Sequence, residues 1–269
     1  MQATAGAIRV DVGEVSLEVF ELGGGAERLV FLHDLDYLNG LDYPFLQALA
    51  QGRTVLAPSH PGFGASSLPD DFDTVEDIAL VYLDWLKRAQ APLHLVGAGF
   101  GGWIAAEMAV RCAHLIRSLT LVDALGIKVG DRGTVDIQDL FVLGASELVQ
   151  ICWHDRQRGE REMPLPAPGT GFDEDTLTLL LSQRRTAALM GWNPFMHNPK
   201  LRKRLQRLDL PTLVVWGAAD RLVTPEYGHA YAQAIPGAQF VIVDAAGHYP
   251  YLEQPDEFTA TLEAFLSQA

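Results

Sequence analysis

Short apolar runs alternate with helical stripes along most of the chain. Runs rich in β-branched and large apolar residues fall at Ile8–Val12, Val15–Glu21, Leu29–His33, Thr54–Ala57, His94–Gly97, Ser118–Asp123, Thr212–Gly217 and Gln239–Asp244, and each reads as a strand. Gly13 separates the first two, as in a hairpin. From the third run on, helical patterns intervene. Thr74 to Arg88 sets Val75, Ile78, Tyr82, Trp85 and Leu86 on one face, and Thr74 with Asp77 makes a capping-box start. Phe100 to Cys112 is small or apolar almost throughout, the pattern of a helix buried on several sides. Pro255 opens a last helix with Phe258, Leu262, Phe265 and Leu266 on its inner face. This alternation predicts an α/β fold, a mostly parallel eight-stranded sheet with helices on both faces.

The alternation stops between Leu125 and Leu208. The stretch holds P-L-P-A-P-G-T-G from Pro164, with Pro166 and Pro168, then a helical pattern from Leu177 to Met190 and a basic segment from Lys200 to Arg207. At roughly 80 residues it is too long for a loop. An inserted helical lid is expected, with residues 1–124 and 209–269 forming the core domain and 125–208 the cap. The basic run reads as a solvated helix face.

Composition narrows the function classes. The chain has 269 residues, 48% hydrophobic and 20% charged, enough for a large core. A formal charge of −14 argues against nucleic acid and anionic membrane surfaces, which need positive patches. Cys112 and Cys152 stand far apart without metal-ligand spacing and read as reduced thiols. No run reaches transmembrane length and no leader pattern opens the chain, so a cytoplasmic location is the default expectation. The expected partner is a small-molecule substrate, with no cofactor and no metal; a homodimer stays open.

The chemistry concentrates in three places. Gly97-Ala98-Gly99-Phe100-Gly101 follows the fifth strand and opens a helix. A dinucleotide fingerprint would need this turn in the first strand–helix unit, and no Gly-Lys-Ser/Thr follows for a phosphate loop. After the seventh strand W-G-A-A-D places Asp220 just past a strand end. After the eighth, D-A-A-G-H-Y-P places His248 in a glycine-led loop. An imidazole held in one tautomer by a carboxylate can accept a proton on its other nitrogen, and Asp220 with His248 are candidates for that pair. His33, His60, His94 and His114 read as structural.

The run at 97 to 101 matches the turn G-x-S-x-G except that its centre, Gly99, has no side chain, and the order 99, 220, 248 is that of nucleophile, acid and histidine. With F-L-H at 31 to 33, A-P-S-H-P-G-F-G-A-S at 57 to 66, V-G-A-G-F-G-G at 96 to 102 and G-H-Y-P-Y-L-E-Q-P at 247 to 255, the chain resembles α/β-hydrolase-fold proteins with a cap domain over essentially its whole length. The similarity is to the esterase, C–C hydrolase and haloperoxidase-like subset. That resemblance implies cofactor-free hydrolysis of a small organic ester, amide, lactone or C–C bond. It also implies an oxyanion hole from the amides of Leu35 and Phe100. Asp34 departs from the pattern, standing where the family has a glycine; a solvent-facing carboxylate is the plainer expectation, with a cation site or second base as alternatives. Trp153, His154, Trp192, Phe195, Met196 and His197 are the lid residues expected to face the substrate.

Gly99 leaves four readings. His248, oriented by Asp220, activates a water lodged where the serine oxygen would be, on a small, largely apolar carbonyl compound. The same dyad carries out proton transfer as a lyase or isomerase. The pocket binds a ligand without turnover. Or the glycine silences a serine hydrolase, in which case Gly99→Ser should fit and restore reactivity.

Overall fold

In the computed structural model, residues 6–35, 44–88, 92–163, 171 and 173–269 are described. β1 (Gly6–Val12) and β2 (Val15–Gly23) form the expected hairpin, turning at Gly13 with a positive φ of 60°. Thereafter strands and helices alternate: β3 (Arg28–Leu32), α1 (Pro44–Leu49), β4 (Thr54–Pro58), α2 (Val75–Leu86), β5 (Leu93–Ala98), α3 (Gly99–Cys112) and β6 (Ile116–Val122). The helices α4 (Ala145–Cys152), α5 (Arg156–Glu162), α6 (Glu174–Gly191) and α7 (Leu201–Leu205) come next. The chain then closes with β7 (Thr212–Gly217), α8 (Pro225–Ala234), β8 (Gln239–Val243), α9 (Pro250–Glu253) and α10 (Pro255–Leu266).

The eight strands make one sheet in the order β1-β2-β4-β3-β5-β6-β7-β8. β2 runs antiparallel to β1 and β4, and every pairing from β4 to β8 is parallel. Strands β4, β5 and β7 are buried along their whole length, as a parallel sheet covered on both faces requires. The capping box at the start of α2 forms as expected: Asp77 N donates to Thr74 Oγ1 (3.3 Å) and Thr74 N donates to Asp77 Oδ2 (3.0 Å).

One topological feature places the site. From β3 the chain crosses to β4 on one side, then returns to β5 on the other. Ligands in open α/β sheets bind at such a reversal, outside the carboxyl ends of the strands. Leu32 pairs with Gly97 in that register, so the residues two further on, Asp34 and Gly99, leave adjacent strand ends side by side.

Between β6 and β7 the described residues contain helices and one isolated bridge, Gly126 with His197. The run from Pro164 through Thr170 lies outside the described residues. Buried polar groups tie this insert to the core. Asn198 Nδ2 donates to Glu76 and to the fully buried Glu107, both at 2.8 Å, and Glu107 also pairs with Arg111. Arg221 N donates to Ile151 O (3.0 Å), holding the loop after β7 against α4. No helix among the described residues is long and apolar enough to cross a membrane.

Candidate active site

His248 sits between two buried carboxylates. Its Nδ1 donates to Asp220 Oδ2 at 2.7 Å, and its Nε2 lies 3.2 Å from Asp34 Oδ2, off the line of a well-aligned hydrogen bond. Each loop holds its residue firmly. Asp220 Oδ1 accepts from the amides of Leu222 (2.8 Å) and Val223 (3.2 Å). His248 N donates to Cys152 O at 2.6 Å, so the histidine loop is anchored by the end of α4. The pair anticipated from chain order is assembled, within hydrogen-bond reach.

The position of Asp34 differs from the solvent-facing expectation. It is only 3% exposed. Its Oδ1 accepts from Phe100 N at 2.6 Å, and the Leu35 amide also bonds the carboxylate. These are the two amides expected to bind a substrate oxyanion, and both are engaged by Asp34. The cause is the missing side chain opposite. Gly99 adopts a φ of +49°, and a Cβ built there would overlap Oδ1 and Cγ of Asp34. The carboxylate therefore occupies the room vacated by a nucleophile's side chain. Two expectations are corrected at once. The space beside Gly99 does not receive a water, and Gly99→Ser does not fit while Asp34 stays in place. The flanking glycines have a packing role: a Cβ on Gly101 would meet the carbonyl oxygens of Leu32 and His33.

Two histidines set the Asp34 loop. His33 and His60 stack with ring centroids 3.9 Å apart. His33 Nδ1 donates to Asp34 O, which leaves its Nε2 to accept from His60 N (3.1 Å). His60 Nε2 in turn donates to His33 O (2.8 Å) and its Nδ1 accepts from Tyr82 Oη (2.7 Å). Burial, with His33 adjacent, keeps the His60 imidazole well below its usual pKa and so neutral.

The electrostatics follow from these contacts. Burial alone would push the His248 pKa down, but the nearby Asp220 and Asp34 carboxylates outweigh it and raise it well above 6.5. Burial would raise the Asp34 pKa, yet His248 and the Phe100 and Leu35 amides hold it below the usual 3.8. The resting site is thus an imidazolium between two carboxylates.

A third carboxyl completes the cluster, and the sequence reading passed over it. Asp123 closes β6, fully buried at φ +43°, and its Oδ1 accepts from Gly217 N at 3.0 Å. Burial and the Asp220 charge raise its pKa well above 3.8, so it is held neutral. Its signal was available, as an aspartate at a strand's carboxyl end in the neighbour of β7. Asp123, Asp220 and His248 each offer an atom within 4.8 Å of the others.

The lid residues separate into groups. Trp153 is buried against Tyr249 (centroids 5.1 Å), whose ring in turn meets His248 (5.3 Å), and the Trp153 Nε1 has no acceptor among the described residues. Phe195 and Trp192 both pack on Phe141, but Trp192 is 62% exposed and faces outward, against expectation. Met196 is fully buried, and His197 Nδ1 donates to Phe195 O (2.8 Å). His154 lines a separate cavity of about 430 Å³ with Asp155, Arg158, Glu253 and Gln254, which touches none of Asp34, Gly99, Asp220 and His248. Glu253, also unread in the sequence, accepts from the amides of Gly247 (2.6 Å), Asp155 (2.8 Å) and His154 (3.2 Å) and so braces the histidine loop.

Comparison with known proteins agrees with this architecture. Residues 29–261 match the model of the alpha/beta hydrolase family. The chain is 26% identical to a pimeloyl-[acyl-carrier protein] methyl ester esterase of Aeromonas hydrophila, over 94% of this chain and 100% of that one. It is 26% identical to a 2-hydroxymuconate semialdehyde hydrolase of Pseudomonas putida, over 82% of this chain and 79% of the relative. Among solved structures, a serine hydrolase involved in carbazole degradation superposes with a TM-score of 0.75 at 19% identity, covering 98% of this chain and 100% of its own. The chain belongs to the α/β-hydrolase family.

Proposed function

We propose that the protein is a cofactor-independent hydrolase of a small, largely apolar molecule that works without a serine, with His248 and Asp220 handling the proton. The observation that carries this reading is the 2.7 Å Nδ1–Oδ2 bond of a buried pair whose other nitrogen, Nε2, lies 3.2 Å from the carboxylate beside Gly99. The related esterase and C–C hydrolase support the reaction type. A silenced serine hydrolase is less well supported, because Asp34 and Gly99 are fitted to each other and a serine at 99 has no room beside this carboxylate.

The test is product analysis on small esters, lactones, amides, vinylogous diketones and alkyl electrophiles, with wild type and His248→Ala. Turnover that drops at least tenfold in the variant is expected. Undiminished turnover would remove the dyad from the mechanism. One observation favours a second reading, binding without turnover: Asp34 already holds both oxyanion donors. On that reading no compound is converted, and calorimetry shows binding that survives loss of His248.

A further inference from the structure

We propose that Asp34 is itself the nucleophile, transplanted from the β3 loop into the place of the missing side chain, and that it attacks saturated carbon bearing an anionic leaving group. The inference rests on the serine-free hydrolase reading and names its bond class. Three observations carry it. The carboxylate fills the volume of a side chain at position 99. Its Oδ1 accepts from the Phe100 amide, the Leu35 amide also bonds the carboxylate, and Oδ2 lies 3.2 Å from His248 Nε2. The His33–His60 stack fixes the loop that presents it.

The division between the two oxygens decides the chemistry. Attack on an acyl carbon develops an oxyanion on the substrate, which needs donors; here both are taken by the Asp34 carboxylate. Attack on saturated carbon develops no such charge. Oδ2 forms a bond to the carbon as the bond to the leaving group breaks, and its electron pair departs with the anion. An alkyl ester of Asp34 remains, with its carbonyl oxygen Oδ1 already on the Phe100 amide. Loss of the Asp34 charge removes one of the two anions holding the proton on His248, which then passes to solvent. Neutral His248 takes a proton from water as the water oxygen bonds to Asp34 Cγ, and Oδ1 carries the negative charge against the Phe100 amide. Collapse expels the alkoxide, which takes the proton from His248; the new carboxylic acid returns its own proton to His248. The balance is alkyl–X plus water giving alcohol, X⁻ and a proton.

The experiment uses hexyl bromide and hexyl methanesulfonate in heavy-oxygen water, with p-nitrophenyl butyrate as the acyl comparator. In a single turnover the heavy atom should enter Asp34, read as a mass gain on the tryptic peptide of residues 29–53 and located by fragmentation, while the alcohol keeps light oxygen. His248→Gln should accumulate an alkyl adduct at Asp34 in the intact mass, and Asp34→Asn should form none. Histidine-dependent turnover with heavy oxygen only in the product would overturn the nucleophile and leave the hydrolase reading standing. So would turnover of the butyrate ester alone. No adduct in His248→Gln and no turnover of any probe would overturn both.

Discussion

Two loops approach His248 with an aspartate each, and they differ in whose amides they use. Asp220 is held by Leu222 and Val223, amides of its own loop after β7. Asp34 is held in part by Phe100, the second residue of α3, on a different element. The first arrangement is self-contained and serves to orient an imidazole. The second takes up groups that the fold makes available at the reversal between β3 and β5, and it does so because Gly99 leaves space. Similar carboxylates at similar burial are therefore placed differently: one is bonded to His248 Nδ1, the other fills the volume beside Gly99.

Removing the cation between them should have the largest effect. His248→Ala leaves Asp34 and Asp220 buried without their shared counter-charge, at a cost of about 3–5 kcal/mol. Urea unfolding near neutral pH should show that loss, and it should shrink in mild acid as a carboxylate takes up a proton.

The fit between Asp34 and Gly99 can be separated by a double-mutant cycle. Gly99→Ser alone should destabilise by about 1–3 kcal/mol through overpacking and should not react with a fluorophosphonate. Combined with Asp34→Gly, most of that loss should return, and labelling at position 99 should appear in the intact mass. Additive energies and no labelling would mean that the two positions are independent.

The charge state is tested by pH. The raised His248 pKa contributes stability that is fully present below 6.5 and is lost as pH rises through its native value. The lowered Asp34 pKa contributes stability present above 3.8 and lost as pH falls through its native value. Unfolding at graded pH should show a plateau between the two. Nitrogen NMR of the imidazole should report a charged ring above 6.5, and a lower midpoint in Asp34→Asn.

The smallest effect is expected at Asp123. Asp123→Asn keeps an acceptor for Gly217 N, so below pH 3.8, where the wild-type carboxyl is neutral folded and unfolded alike, stability should change by less than about 1 kcal/mol. Because the wild-type carboxyl has a raised pKa, wild type should lose stability as pH climbs through that value and the variant should not. Equal alkaline unfolding curves would show that Asp123 is already ionised.

Much of this was legible in the sequence. All eight strands lie within a few residues of the apolar runs that mark them, because a parallel sheet buried on both faces demands continuous β-branched stretches. The Thr74 cap, the glycine-bounded turn and the pairing of Asp220 with His248 were readable for the same reason: each depends on residues close in sequence or on strand-end position. The fate of Asp34 was not readable. A carboxylate after a strand is as easily solvated as buried, and only the β3–β5 register, the empty volume at Gly99 and the Phe100 amide together turn it inward. Asp123 and Glu253 escaped notice because their partners lie on other elements. Local patterning thus determined the elements and the pairing of Asp220 with His248, whereas packing across strand ends decided which group fills the volume beside Gly99, since burial and charge pairing exist only once the chain is folded.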